Sequence, residues 1–374
     1  MDRPKTEEEL LAILREGRPV HAVGSGTKRH WGPGPAPDAR PVSLRELDRV
    51  VAYEPGDLVV TVQTGALLSD LQATLAREGQ WLPLDPPYAA ATIGGILAAN
   101  SSGPRRLAYG TARDLLLGLR VAGPDGRVTR SGGRVVKNVT GYDLHKLHIG
   151  AFGTLGVLLE ASFKLRPLPE RRAVFVVPCP SLRRAHEILL AVFASRLRPA
   201  ALEAVDARLL KLADAPAAAL VGVEASGPIV ERHARELRGF AGGFERLEGP
   251  EAEDLWARLR DLPALGPDRI RVRIGARPHD LPELLPEEGP PLWIRAGNGL
   301  AWAHLEPGPE AAEAARAWHR RAAARGGYAV VESAPPDLAD RASLPWGFPD
   351  DPLMKAVRAA RDPARVLNPG RVPL

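Results

Sequence analysis

Between Pro86 and Pro104 the chain reads PPYAAATIGGILAANSSGP, nineteen residues without a charged side chain in a protein in which 25% of residues are Asp, Glu, Lys or Arg. A run of that length could cover the hydrocarbon of a bilayer. The residues themselves forbid it. Pro86, Pro87 and Pro104 bracket the run, Gly94 and Gly95 sit at its centre, and Asn100, Ser101 and Ser102 would be left without good partners in lipid. The stretch therefore reads as a loop and a short helix packed against something neutral. Two things fit: the chain's own core, or the uncharged part of a bound molecule.

The rest of the sequence narrows the choice. At 374 residues the chain is long enough for two or three domains with sizeable cores. Its hydrophobic and charged fractions are those of ordinary globular proteins. The opening MDRPKTEEELLAILREGRPV is charged throughout and lacks an apolar signal segment, so the cytoplasm is the expected compartment. Nothing resembles a membrane anchor, and no direct membrane insertion is expected. Fifty Lys and Arg against 45 Asp and Glu leave a net charge of +5, with the basic residues dispersed among acidic ones. The clustered basic stripe of a nucleic-acid binder is missing, so no such partner is expected. The single cysteine, Cys179, can make no internal disulfide and cannot by itself hold an iron–sulfur cluster.

Hydrophobic spacing gives the organisation. Leu10, Leu11 and Leu14 predict a helix over residues 7–16, ended by Gly17. PVHAVG then predicts a strand running into GSGTK, and RVVAY and LVVTVQTG predict two strands about the turn EPGD. A helix is predicted over 66–78 with Leu67, Leu68, Leu71 and Leu75 inward, and two strands about PDG within LLLGLRVAGPDGRVTRSGG. Val157, Leu159, Ala161, Phe163 and Leu165 alternate with Glu160, Ser162 and Lys164, a strand with one apolar face. It ends at RPLPERR, the best domain boundary in the chain. Beyond it AVFVVPCP, ALVGVEASG, RIRVRIGARP and LWIRAGNGLAWAHL read as strands among Ala-, Leu- and Arg-rich helices, which predicts an antiparallel sheet with helices on one face. A last helix is predicted near residues 353–360.

Few residues carry chemistry alone. GSGTK, from Gly24 to Lys28, follows a strand, and its glycines allow backbone N–H groups to converge on an anion. It is neither a dinucleotide fingerprint, since Arg29 stands where the third glycine belongs, nor a P-loop, since the spacing before Lys28 is too short. By itself it is a turn or a phosphate site. His145 and His148, three apart, could share a metal, but no Cys or carboxylate pair completes a ligand set, so packing is the expected role and no metal site is expected.

Five segments occur in a telling order: ATIGG (Ala91 to Gly95), NSSG (Asn100 to Gly103), YG (Tyr109 and Gly110), KNVTGYDLHKL (Lys137 to Leu147) and GTLGV (Gly153 to Val157). The series resembles the flavin-binding domain of the vanillyl-alcohol oxidase family, the PCMH-type FAD domain. Within that family VVKNVTGYDLHKL and the ending DPARVLNPGR are similar to the FAD-binding subunits of glycolate oxidases. The likeness covers residues 18–168 and the tail from Trp346 to Arg371; the segment between matches by size and position. It implies an α+β fold: a two-subdomain PCMH-type FAD-binding domain over 1–168, an α+β cap domain with an antiparallel sheet over 172–340, and a tail, 341–374, returning to the FAD domain.

The resemblance also implies an occupant for the neutral stretch. Pro87, Thr92, Ile93, Gly94, Gly95, Asn100, Gly103 and Gly110 would lie along the cofactor, where a charged side chain would be buried and unpaired. Gly24, Ser25, Gly26 and Thr27 would hold the pyrophosphate. Gly153, Gly156 and Val157 would pack on the ring or adenine, Tyr142 and Asp143 would shape the channel, and Asn368 would come back from the tail toward the flavin. Relatives that attach the flavin covalently through the first loop place a histidine where Thr27 stands, so non-covalent FAD is expected, with His30 the nearest alternative.

The implied activity is oxidation of a 2-hydroxy acid, glycolate, to the 2-oxo acid, with electrons passed to partners: a larger flavin subunit and an iron–sulfur subunit. Any membrane association would run through them. Relatives that oxidise 2-hydroxy acids unaided often carry clustered histidines in the second domain, whereas His279 and His304 stand far apart in this sequence. No catalytic residue is assigned, although His304 is the histidine to watch. Two alternatives stay open: a non-catalytic FAD-containing scaffold subunit, and a stand-alone oxidase of another 2-hydroxy acid or an alditol.

Overall fold

The computed structural model describes the whole chain except residues 135–140, 211, 213, 266–267, 286–288, 339–343, 347–350 and 373–374, and the side chain of Pro309. Two compact units are present. The first comprises Met1–Ser102, Gly110–Leu168 and Trp346–Leu374; the second comprises Gly103–Tyr109 and Pro169–Pro345.

In the first unit the helix Glu7–Arg15 forms where the leucine spacing predicts it. Thr6 accepts the Glu9 N–H, Glu7 to Glu9 sit at the positive helix end, and Leu10, Leu11 and Leu14 are buried. These leucines share one core with Val20, Val42, Leu159, Val366 and Leu367, so the tail residues Val366 and Leu367 are interior to this unit. Val20–Val23 pairs in parallel with Arg40–Ser43, and Val20 also bridges to Leu367. A five-stranded antiparallel sheet runs in the order Val50–Glu54, Val59–Gln63, Val157–Lys164, Leu116–Ala122, Val128–Gly132. The helices Leu68–Ala76 and Ile93–Ala99 bury Leu71, Leu75, Ile93, Ile96 and Leu97 in its core.

The strand Val157–Lys164 differs from its one-sided pattern. It is central in the sheet, and its polar face is covered as well. Ser162 is buried in a 2.8 Å hydrogen bond with Thr61, and Glu160 accepts from Arg120 at 2.6 Å, a guanidinium that also holds Glu7. The polar side chains there are internal ties rather than a solvent face.

The second unit is built on an eight-stranded antiparallel sheet, in the order Glu245–Glu248, Arg171–Cys179, Ala217–Ala225, Ala201–Asp206, Leu292–Arg295, Leu300–Leu305, Ile270–Gly275, Tyr328–Ser333. LWIRAGNGLAWAHL, read as one strand, is two, because Gly299 turns the chain at φ +64° where a Cβ would collide with the Ala276 carbonyl. Helical cover is not confined to one face. The helix Gly249–Arg260 lays Trp256 on Gly222 and shares a core with Val174, Val176 and Leu220, a core that includes no described residue of the helices Leu182–Ala194, Gly227–Ala241 and Pro309–Ala323. No described helix is long and apolar enough to cross a membrane.

Candidate functional site

The site grows from the end of the strand Val20–Val23. Beyond Gly24 the chain turns through Ser25, Gly26, Thr27 and Lys28, with Gly26 left-handed at φ +74°. None of the four backbone N–H groups from Ser25 to Lys28 has a partner among the described residues. Consecutive unpaired N–H groups about a left-handed residue form an anion-binding nest. Gly24 is glycine for a packing reason, since a Cβ would collide with the Thr92 hydroxyl. That hydroxyl caps the helix Ile93–Ala99 by accepting the Gly95 N–H at 3.1 Å.

The helix divides the neutral stretch between the two occupants the sequence leaves open. Ile93, Ile96 and Leu97 point into the apolar core, whereas Thr92, Gly95, Ala98 and Ala99 line a cavity over the Gly24–Lys28 turn. The spacing is helical, so one short segment serves as core on one side and wall on the other.

The tail completes the wall. The Asn368 N–H donates to the Val20 carbonyl at 2.8 Å, its Oδ1 accepts the Ala22 N–H at 2.8 Å, and its Nδ2 donates to the Phe152 carbonyl at 2.6 Å. Asn368 itself is left-handed at φ +43°, and Phe152 at φ +51°. Arg371 donates to the carbonyls of Arg29 at 2.9 Å and Lys28 at 3.2 Å, and its guanidinium lies 5.1 Å from the Phe152 ring centre. Two tail side chains thus tie the first loop to the loop before Gly153.

The charges in this cavity are all of one sign. His21, Lys28, Arg29 and Arg371 line it, and no Asp or Glu does. Burial, with Arg371 and Arg29 nearby, pulls His21 down to about 4, so its imidazole is neutral at pH 7. Burial alone pulls Lys28 down to about 7. An adjoining cavity shares Gly24, Thr92, Gly95 and Asn368 and continues past Gly94, Gly153, Gly156 and Val157.

The residues expected from sequence therefore fall into two groups. Gly24, Ser25, Gly26, Thr27, Thr92, Gly94, Gly95, Gly153, Gly156, Val157 and Asn368 line these joined cavities. Seven others do not. Pro87 and Ile93 are buried elsewhere, and Asn100 closes the helix at φ +45°. Gly103 belongs to the second unit, and Gly110 faces the Asp114 carboxylate. Tyr142 is 89% exposed, and Asp143 pairs with Lys146 at 2.5 Å on the surface. Lys137 to Thr140, part of the longest motif, lie outside the described residues.

Lys28, Arg29, Phe152, Arg371 and His21 were not singled out from sequence. Lys28 and Arg29 adjoin the glycine turn and were legible by position; Arg371 and Phe152 come from distant segments and carry no local signal. Among the histidines, His145 is buried against Ser131 and His148 is pulled down to about 4 by burial and Arg361, which suits packing. His30 is hydrogen-bonded to the Tyr88 hydroxyl at 2.9 Å and lines neither cavity. His304 is buried edge-on to Trp293 and is pulled down to about 4 by burial. No cluster of His, Cys, Asp and Glu suited to a metal occurs among the described residues.

Comparison with known proteins identifies the family. Residues 1–132 match the FAD binding domain family, and residues 168–264 match the C-terminal domain of FAD linked oxidases. The chain is 33% identical to glycolate oxidase subunit GlcE of Escherichia coli (strain K12), over 98% of this chain and 95% of that protein. It is 32% identical to glycolate oxidase subunit GlcD of Bacillus subtilis (strain 168), over 63% of this chain and 54% of that protein. Among solved structures, an alkyldihydroxyacetonephosphate synthase superposes with a TM-score of 0.71 at 17% identity, over 98% of this chain and 76% of the other, a likeness of fold.

Proposed function

The chain belongs to the FAD-linked oxidase family that includes the E-type glycolate oxidase subunits, and from that premise we propose that it is the FAD-binding subunit of a glycolate-oxidising complex. In this reading a 2-hydroxy acid becomes a 2-oxo acid and the electrons leave through a larger flavin subunit and an iron–sulfur subunit. The compartment is the cytoplasm, with any membrane attachment made by the partners. One observation carries the assignment: a glycine turn with four free N–H groups opens into a cavity lined by Lys28, Arg29 and Arg371 and by no carboxylate. That donor set fits a diphosphate, and the neutral wall of Gly95, Ala98 and Ala99 beside it fits a flat, weakly polar ring.

FAD, when bound, supplies the two-electron acceptor. The chain supplies the hold. The Ser25 to Lys28 N–H groups and the three cations meet the anionic centre, Asn368 fixes the two loops at one separation, and the small residues of Ile93–Ala99 allow close approach. Attachment is non-covalent in this reading, because Thr27 offers no ring nitrogen and His30 is engaged by Tyr88. The absorption spectrum of the purified chain, repeated on the supernatant after acid precipitation, tests both points. Flavin bands in the supernatant are expected; flavin left in the pellet rejects non-covalent binding, and a colourless, folded chain that takes up no added FAD rejects the cofactor assignment.

A second reading, in which this chain holds FAD while a partner turns over substrate, is favoured by the histidines of the second unit. His186 meets the Pro278 carbonyl, His233 the Ile229 carbonyl and His319 the Ala329 carbonyl, while His279 sits beside Asp280 and His304 packs on Trp293. Each has its own separate contact, only His279 meets a carboxylate, and no two of them form a cluster among the described residues. Glycolate-dependent bleaching of the isolated holo-chain discriminates: bleaching assigns turnover to this subunit, and its absence assigns it to the partner.

A further inference from the structure

Lys28 is out of place for an ordinary lysine. It is 7% exposed, and among the described residues no carboxylate pairs with it. Among the described residues its ammonium nitrogen has one hydrogen-bonding oxygen, Thr27 Oγ1 at 3.5 Å, and it stands 5.4 Å from the Tyr88 ring centre. A buried cation so poorly matched is costly, and proteins keep one where something absent from the folded chain completes it. The groups around the cavity offer no relief: Arg29 on the same loop and Arg371 from the tail are cations, His21 on the strand is neutral, and Tyr88 is bonded to His30.

We infer that Lys28 is the side chain that meets the cofactor's diphosphate, and that it takes up a proton from solvent as the diphosphate binds, so that cofactor binding by this chain is coupled to pH. The inference rests on the FAD reading above and extends it to a residue and a linkage. Without a ligand, burial favours the neutral amine at pH 8. With two phosphate charges in the nest, the ammonium form is favoured and one proton is drawn from the buffer. The thermodynamic consequence is that affinity falls as pH rises above neutrality. Arginine at the same position would keep its charge throughout and should bind without the proton step.

Isothermal titration of apo-protein with FAD tests this, run at pH 8 in phosphate and in Tris, whose different ionisation enthalpies report protons taken up, and repeated from pH 7 to pH 9. ADP-ribose, which carries the diphosphate without the flavin, is the second probe. The expected result is net proton uptake with both ligands and a loss of affinity approaching roughly tenfold per pH unit above neutrality. Lys28→Met should weaken FAD at least tenfold at pH 7 and abolish uptake, while Lys28→Arg should restore affinity without uptake. A Lys28→Met protein that keeps wild-type affinity and pH slope overturns the inference and leaves the FAD reading standing. Uptake with FAD but not with ADP-ribose overturns the diphosphate assignment. A wild-type apo-protein that binds neither ligand overturns the FAD reading itself.

Discussion

Lys28 in the first unit is treated differently from the buried arginines of the second. In the second unit each has a carboxylate. Arg295 and Glu203 are both 2% exposed and stand 3.4 Å apart; Arg271 and Arg273 share Glu332 at 2.9 and 3.2 Å; Arg105 meets Glu224 at 2.8 Å. In the first unit Lys28 is buried with Arg371 donating to its backbone carbonyl, and no acid is among the described residues that line the cavity. Burial costs a charge the same in both places. Where the partner is built into the fold the charge is architecture, and at Lys28, which has no carboxylate partner among the described residues, we read the charge as half of a binding site.

That contrast predicts mutations of opposite sign. Glu332→Gln strips Arg271 and Arg273 of their partner and should cost about 3–5 kcal/mol in urea unfolding of the apo-protein. Burial opposes ionisation of Glu332, yet Arg271 and Arg273 hold its carboxyl below the ordinary value, so the pair contributes above about pH 4.5 and is lost in acid. Lys28→Met should instead stabilise the apo-protein, by on the order of 2 kcal/mol at pH 7, because it removes a buried charge with nothing to answer it. Its folded value of about 7 lies below the ordinary 10.5, so the unfolded chain binds the extra proton between those limits. Apo stability should therefore rise with pH from 7 toward 10.5 in the wild type and stay flat across that window in Lys28→Met. A destabilised Lys28→Met would break the comparison.

The tail sharpens it next. Asn368→Ala leaves the Ala22 N–H and the Phe152 carbonyl without their partner and should cost about 1–3 kcal/mol. Because those bonds set the spacing of the two loops, FAD should also dissociate faster, measured by dilution and flavin fluorescence. Removal of residues 345–374 should do more, since Val366 and Leu367 are core residues. Unchanged FAD retention in Asn368→Ala would separate the tail from the cofactor site.

Much of this was written locally. The leucine spacing of the first helix, the glycine turn after a strand and the helical phase of Thr92, Gly95 and Ala98 against Ile93, Ile96 and Leu97 all follow from nearest neighbours. What depends on distant partners was not legible. Ala201–Asp206 carries Glu203 at its middle and does not read as a buried strand until Arg295 arrives from 92 residues on. The polar face of Val157–Lys164 looks solvated until Thr61 and Arg120 cover it. Lys28 is legible as the end of a glycine turn, but its burial, with Arg371 on its carbonyl and its ammonium by Tyr88, appears only with the chain folded.

The smallest expected effect concerns Tyr142 and Asp143, which family resemblance places along the cofactor and the fold places at the surface. Tyr142 buries almost nothing, and the Asp143–Lys146 pair is a solvent-screened ion pair on one short turn. Neither Tyr142→Ala nor Asp143→Asn should move the unfolding midpoint of the apo-protein. If the resemblance holds for these positions, FAD affinity should still weaken a few-fold, because a side chain can contact a ligand without contributing to the fold. Wild-type affinity in both variants would remove them from the site and confine it to the two loops, the helix wall and the tail.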